Sequence, residues 1–460
     1  MKNPLLIPEL RELIAANDMA AIREFCAETH PETVAELLGG LEHPEIWRIL
    51  HMLDTPLRAH IFSHFELDLQ VELATGQNRR QMARLLEEMP ADDRADLIRE
   101  LDEKVRDELL PLVAKAERED IRKLAQYEEE TAGSVMSTDY AVLRPDMTVE
   151  QAIEQLRIQA PEKETIYYVY VVDENRRLIG FVSLKDIIVS KPGRRIRDLM
   201  HTDVIKANVN DDQESVAGKI EKYDLIAIPV TDDNDVIVGI VTHDDAIDII
   251  RQEQTEDIEK LMAISGEHEI TPYLKISVFR HFRNRSGWIV GLGIISMLAG
   301  LVIQRYEEVL LQFAVLATFL PMIADTGGNT GSQSATLVIR ALALKEISLR
   351  DILRVLFKEM QVSAMMACVM GLLAYIRLIV FAESDAMPPG TTLAMLGLAV
   401  AVALALQVLT STLIGALLPL IAVFFKLDPA IVASPALTTV VDITGLVIFF
   451  AVVSRFIMPA

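Results

Sequence analysis

"TGGNTGSQSATLVIRAL", residues 326–342, sets three glycines, an asparagine and several hydroxyls inside an apolar stretch long enough to cross a bilayer. Each glycine costs a helix about 1 kcal/mol, and threonine and asparagine add little helical preference. The composition predicts a helix broken here beside a cavity, because free backbone N–H and C=O groups find no partner in lipid. A flexible kink packed between neighbours is the alternative. Further on, "TTVVDITGLVIFF" (438–450) carries one acid, Asp442, in an otherwise apolar stretch. A charge at mid-bilayer depth costs about 3 kcal/mol or more unless water or a partner receives it. Arg377 and Arg455 lie near segment ends, where long side chains reach the interface, so neither is the expected partner. An unpaired carboxylate beside a polar, glycine-rich segment suits a cation pathway; a protonated or amide-capped structural acid is the alternative.

Working outward, apolar segments at 286–304, 309–338, 357–381, 391–425 and 428–456 predict five spans. Basic residues collect on the cytoplasmic side of membranes. Arg280, Arg283 and Arg285 precede the first span, Arg340, Lys345, Arg350, Arg354 and Lys358 follow the second, and Lys426 precedes the fifth, while "RYEEV" and "AESDAMPPG" are acid-rich. The expected topology has a cytoplasmic N-terminus and an outside C-terminus, in an inner or plasma membrane.

The charge divides the chain of 460 residues in the same place. Residues 285–460 hold 10 basic and 10 acidic residues, so the whole net charge of −23 lies on residues 1–284. A surface so acidic repels nucleic acid and attracts cations, although such surfaces also serve solubility alone. Cys26 and Cys368, in parts of different character, make no disulfide framework. "MKNPLLIPELREL" lacks the uninterrupted apolar core of a signal peptide.

Residues 1–130 read as short amphipathic helices, several starting at Pro, Asp or Thr, and suggest a helical solenoid or an irregular bundle. Residues 131–250 contain a duplication: "YVVDENRRLIGFVSLKDII" (170–188) and "IPVTDDNDVIVGIVTHDDAI" (228–247) align Gly180 with Gly239 and Asp186 with Asp245. Each copy follows a Met-containing lead. This resembles a tandem pair of CBS domains, small βαββα regulatory units, here 131–199 and 200–250. The resemblance implies a nucleotide cleft, so ATP is a candidate ligand, with Arg176, Arg177 and Lys185 the basic residues at hand. Residues 251–275 are an acidic connection carrying Glu253, Glu256, Asp257, Glu267 and Glu269, and the membrane domain is 276–460.

No cysteine–histidine cluster for a soft metal occurs in the membrane part, and its oxygen donors suit hard ions such as Mg²⁺ or Ca²⁺. No Ser/His, paired-Asp or zinc-ligand constellation appears in or beside the spans, so an enzyme is not expected. A secondary divalent-cation transporter or exchanger, or a CBS-regulated membrane receptor, are the competing readings.

The order of helical domain, CBS pair, acidic helix and five spans, with "TGGNTGSQSATLVIRAL" and "DPAIVASPALTTVVDITG", closely resembles the MgtE family of magnesium channels. That resemblance implies a multi-domain α-helical membrane protein acting as a homodimer, with the pore between subunits. It implies that Asp442 holds hydrated Mg²⁺ beside Gly328 and Asn329. The family usually reads "GGNTGNQ"; Ser332 stands here for its second asparagine and bears on selectivity among Mg²⁺, Mn²⁺, Co²⁺ and Ca²⁺. Intracellular Mg²⁺ is implied to lock the channel shut by binding carboxylates. The matching residues are Asp92 and Asp96 in the N-domain, Glu214, Asp224 and Asp245 in the second CBS repeat, and Glu253, Glu256 and Asp257 on the connecting helix. Asp325, before the glycines, is a further acid that attracts ions or caps a helix.

Overall fold

The structure is a computed structural model that describes residues 12–264, 273–381, 391–430 and 434–457, except 15, 17 and 275. Contacts divide it into two compact units, Met1–Glu253 and Gln254–Ala460.

The N-terminal unit begins with α1 (Met19–Glu28), α2 (Pro31–Leu38), α3 (His43–Leu50), α4 (Thr55–Ser63), α5 (Leu67–Gly76), α6 (Arg79–Glu87), α7 (Ala91–Glu100), α8 (Glu103–Leu109) and α9 (Lys115–Leu124). Their starts are chemically marked. Asp18, Asp54 and Asn78 accept backbone N–H groups of the first turn, and prolines stand in the first turn of α2, α3 and α4. Helices too short to be stable alone stack on the next but one: α2 on α4, α4 on α6, α6 on α8 and α5 on α7. This solenoid-like pattern buries one continuous core that includes Ile22, Ile46, Ile49, Phe62 and Leu85. Cys26 lies in it, and burial pushes its thiol up to about 11.

Two three-stranded sheets follow with one topology. β1 (Tyr140–Leu143) runs parallel to β2 (Thr165–Val172), which pairs antiparallel with β3 (Leu178–Ser183). β4 (Ala207–Asn208), β5 (Ala227–Thr231) and β6 (Ile237–Thr242) repeat the order. The helices are α10 (Val149–Gln159) and α11 (Leu184–Val189) in the first repeat, and α12 (Gln213–Tyr223) and the start of α13 (His243–Leu261) in the second. The lead of each repeat crosses to the other. Ser137 exchanges backbone hydrogen bonds with Ile240, and His201 with Phe181. The paired glycines permit it: a Cβ on Gly239 would strike Met136, and one on Gly180 the carbonyl of His201. The repeats are therefore interlocked rather than strung in sequence.

Ala91 and Ala95 of α7 and Leu124 of α9 join the second repeat's core, beside Val216, Ile220 and Ala246. Small side chains let α7 approach closely, and its aspartates are carried in with it. Helix α13 continues past the sheet to Leu261, across the division between the units. Of the connecting segment expected at 251–275, residues 251–261 are thus the end of a longer helix, and Glu267 and Glu269 lie outside the described residues.

The C-terminal unit contains α14 (Val278–Arg305), α15 (Glu307–Gln312), α16 (Leu320–Ala343), α17 (Ile352–Phe381), α18 (Leu393–Phe424) and α19 (Ser434–Ile457). Among the described residues, four helical segments are long and apolar enough to cross a membrane: Val278–Arg305, Leu349–Phe381, Leu393–Phe424 and Pro435–Ile457. The expected second span is not among them. Its core, α16, is 24 residues long but carries the glycine and hydroxyl run.

That run corrects the expectation of a broken helix, because α16 is continuous α-helix through residues 326–331. The glycines are used for approach. Gly331 and Gly415 bring α16 and α18 together so closely that a Cβ on Gly415 would overlap the Gly331 carbonyl. A Cβ on Gly328 would stand 3.1 Å from the Thr438 methyl of α19. Close packing of small residues offsets their poor helix propensity, as in other apolar bundles. The interruption falls upstream, at Phe313 and a 3₁₀ segment, Ala314–Phe319. Arg377 of α17 holds that segment, donating to the Thr318 carbonyl at 3.0 Å and standing 4.2 Å over the Phe319 ring.

Candidate cation sites

Helix α18 is the hub of the C-terminal unit and packs on α16, α17 and α19. A polar seam runs between it and α16: Thr330 and Ser411 hydroxyls lie 3.0 Å apart, both buried. Gln407, also on α18, donates its Nε2 to the Val441 carbonyl of α19 at 3.1 Å. Lower on α16, Ser334 donates to Glu359 of α17 at 2.8 Å. Gln407 and Glu359 are not marked in the sequence. Glu359 looks like part of a basic loop, and a lone glutamine in an apolar run gives no signal.

Asp442 follows Val441 and is half-buried; its Oδ1 is enclosed and has no hydrogen-bond partner among the described residues. The α19 face that carries it lies against the glycine run: Gly331 beside Leu437, Gly328 beside Thr438, and Val441 beside Gly327. The helices run antiparallel here, since numbering rises on one as it falls on the other. Gly328 is buried, Ser332 half-buried, and Asn329 and Asp325 are exposed on α16. Among the described residues, no three His, Cys, Asp or Glu side chains form a metal-binding group. An acid that strips an ion bare needs such company; one that attracts an ion wearing its water shell does not.

The N-terminal unit gathers its acids differently. Asp92 and Asp96 of α7 face Asp245 at the start of α13, with two residues not singled out from sequence, Asp93 and Glu164. Asp92 is held well above the usual carboxylate range by burial and then by the charges of Asp93, Asp245 and Glu164, and its Oδ1 has no hydrogen-bond partner among the described residues. Burial, then Asp245 and Asp96, push Asp93 up to about 7. Glu164, at the exposed rim, is pushed up to about 7 by lost hydration and by Asp245 and Asp244. Burial lifts Asp96 to about 6 although Arg99 pairs with it at 2.8 Å. Asp245 is raised by burial against the hydrogen bond from the Thr242 hydroxyl. The Thr242 N–H also donates to this carboxylate, at 3.2 Å, and at the start of α11 the Ser183 hydroxyl donates to Asp186 in the same way, at 2.6 Å.

The remaining candidates lie apart from this cluster. Glu214 is exposed in the first turn of α12, and Asp224 ends that helix with left-handed backbone, φ 50°. Glu253 accepts from Gln213 at 2.7 Å. Glu256 belongs to the C-terminal unit, where Lys260 bridges it at 2.5 Å to Asp428 at 3.0 Å. Burial and the Asp428 charge raise the exposed Asp257 above its ordinary value. Asp428, before the last helix, is another residue that nothing in the sequence singles out. In the CBS pair, Arg176 donates to the Tyr140 hydroxyl at 3.0 Å, while Arg177 and Lys185 are exposed.

Comparison with known proteins agrees along the chain. The MgtE divalent cation transporter family matches residues 320–452, the MgtE intracellular N domain residues 29–130, and the CBS domain residues 132–192 and 196–252. The magnesium transporter MgtE of Thermus thermophilus is 36% identical over 99% of this chain and 99% of its own length. That of Bacillus subtilis is 33% identical over 97% of each. A crystal structure of the cytosolic domain of the Mg²⁺ channel MgtE in complex with ATP is 36% identical, covers 53% of this chain and 100% of its own, and superposes with a TM-score of 0.51. With relatives at 33% and 36% identity aligned over 97% and 99% of its length, the chain belongs to the MgtE family of magnesium transporters.

Proposed function

We propose that the protein is a homodimeric Mg²⁺ channel that admits Mg²⁺ across the membrane and is closed by intracellular Mg²⁺. In this reading α16 is the second of the five spans, its glycine and hydroxyl face packed on α18 and α19. The N-terminus is cytoplasmic in this reading, in keeping with the basic residues in the first turns of α14 and in the 340–358 stretch. One observation carries the conduction site: Asp442 presents an enclosed carboxylate oxygen without a partner among the described residues, on the helix face packed against Gly328. A hydrated Mg²⁺ supplies the missing donors through its water, and Asn329 and Ser332 stand on the same glycine-bearing helix to accept or donate to that shell.

Closure follows from the second group of acids. Asp92, Asp93, Asp96, Asp245 and Glu164 repel each other when α7 is docked on the second CBS repeat, and a divalent cation offsets that repulsion. An ion that binds the docked form better shifts the population toward it by its differential affinity. Glu214, Asp224 and Glu253 in the N-terminal unit, and Glu256 and Asp257 at the start of the C-terminal unit, are the further acids of this reading. ATP binding at the CBS cleft is supported by the ATP complex of the similar cytosolic domain; a thermal shift with ATP tests it, and no shift counts against it.

The test is Mg²⁺ influx into proteoliposomes carrying wild type or Asp442→Ala, at low and high Mg²⁺ on the face bearing the N-terminal unit. Influx at low Mg²⁺, suppressed at high Mg²⁺ and lost in the variant, is expected. No wild-type influx above empty liposomes from folded protein overturns the channel and favours the receptor. Influx that collapses with the pH gradient favours a proton-coupled exchanger.

A further inference from the structure

We infer that Gln407 is a positioning residue for the Asp442 site, setting through the backbone of α19 where that carboxylate stands against α16. The inference rests on the reading of Asp442 as the conduction site. Gln407 is 1% exposed and sits midway along α18. Its amide lies where three helices meet. Nε2 donates to the carbonyl of Val441, the residue before Asp442, and a Cβ on either Gly327 of α16 or Gly445 of α19 would overlap the amide. Glycines on two different helices thus make one slot for one side chain.

The amide's orientation is determined by its partner. A carbonyl faces the NH₂ end, and turning the amide over would set two oxygens against each other. Oε1 then points away from Val441 and is buried without a partner among the described residues. An unsatisfied buried oxygen is costly, and an apolar side chain of the same volume would fill the slot without that cost. What the amide adds over an apolar filler is a directional tie to the α19 backbone, one residue from the carboxylate. Because Gly328 meets Thr438 one turn before Asp442, the same tie sets the spacing between Asp442 and the Asn329 segment.

The experiment compares Mg²⁺ and Ca²⁺ influx and the melting temperature of detergent-purified full-length protein for wild type, Asp442→Ala, Gln407→Met, Gly445→Ala and the double variant Gln407→Ala/Gly445→Ala. Gln407→Met keeps the volume and removes the tie. Its Mg²⁺-to-Ca²⁺ influx ratio is expected to fall about fivefold, the equivalent of one hydrogen bond, with melting little changed. Gly445→Ala is expected to lose influx, and the double variant to recover part of it, because the amide that the new methyl strikes is gone. A filler role predicts an unchanged ion ratio in Gln407→Met. That result, or, should Gln407→Met not fold, no recovery in the double variant, overturns the inference. If Asp442→Ala conducts like wild type, the reading of Asp442 falls and this inference with it. If Asp442→Ala is inactive while Gln407→Met keeps the wild-type ratio, only the role of Gln407 is wrong.

Discussion

The two units handle carboxylates in opposite ways. In the C-terminal unit Asp442 stands alone among apolar helices, and its character comes from isolation: an enclosed oxygen with no partner among the described residues. In the N-terminal unit the acids are crowded, and burial first, then their mutual charge, sets their character: Asp92, Asp93, Asp96, Asp245 and Glu164 all sit above the ordinary carboxylate range. A lone acid in an apolar wall meets ions one at a time. In the proposed reading the crowd of acids acts as a sensor, because a bound cation would offset its repulsion.

The largest effect should come from breaking the isolated site. Asp442→Asn removes the charge and keeps the shape, and should lower Mg²⁺ uptake in a transport-deficient host more than about tenfold, over 1.4 kcal/mol of transition-state or binding energy. Asp325→Asn, on an exposed position of α16, should leave uptake within about twofold, since exposed charges contribute little. Equal losses in both would erase the difference between the lone acid and an ordinary exposed one.

Next is the packing that holds Asp442 in place. Gly415→Val would drive a side chain into the Gly331 carbonyl and should cost roughly 1–3 kcal/mol, read as a lower melting temperature. Gly287→Val, where nothing lies near the position a Cβ would take, should melt like wild type.

The crowded site should respond in the other direction. Asp93→Asn removes one like charge and should raise the melting temperature of the Mg²⁺-free protein by a few degrees, roughly 1 kcal/mol. The same variant should show a smaller increment on adding Mg²⁺. A Mg²⁺-free protein that melts lower would mean that Asp93 is not repelled in the docked form.

The smallest effect is that of pH. The folded state holds protons on these acids at pH values where the unfolded chain has released them, so stability falls as pH rises from about 4 through about 7. Above that window the repulsion is complete and Mg²⁺ has the most to offset. The Mg²⁺-induced rise in melting temperature should therefore be larger at pH 8 than at pH 6; the reverse order would exclude these carboxylates as the site of the effect.

Much of this was legible in sequence. The paired "DENRRLIGF" and "DNDVIVGI" turns marked both CBS sheets, and Asp442 was conspicuous because an acid in an apolar run has few explanations. Other features were hidden for definite reasons. Gly327, Gly328 and Gly331 read as helix breakers because propensity is local, whereas the packing that outweighs it comes from Ser411, Gly415 and Thr438, about 80 to 110 residues away. Glu164 comes beside Asp245 and Asp244 only through the packing of the two CBS repeats, and nothing in "PEKETI" marks it. The crossing of the CBS leads was invisible because each lead is equally compatible with either sheet.

By itself, then, the sequence determined what is written in composition and periodicity: an acidic helical part, a duplicated βαββα pair, apolar helices and the acid Asp442 in the last of them, because burial of apolar surface and the cost of charge in lipid act residue by residue. Only the tertiary structure decided which acids repel each other, which glycines are points of contact, and that a glutamine on α18 bonds the backbone beside Asp442. Those are properties of distances between residues remote in sequence, and no local preference encodes them.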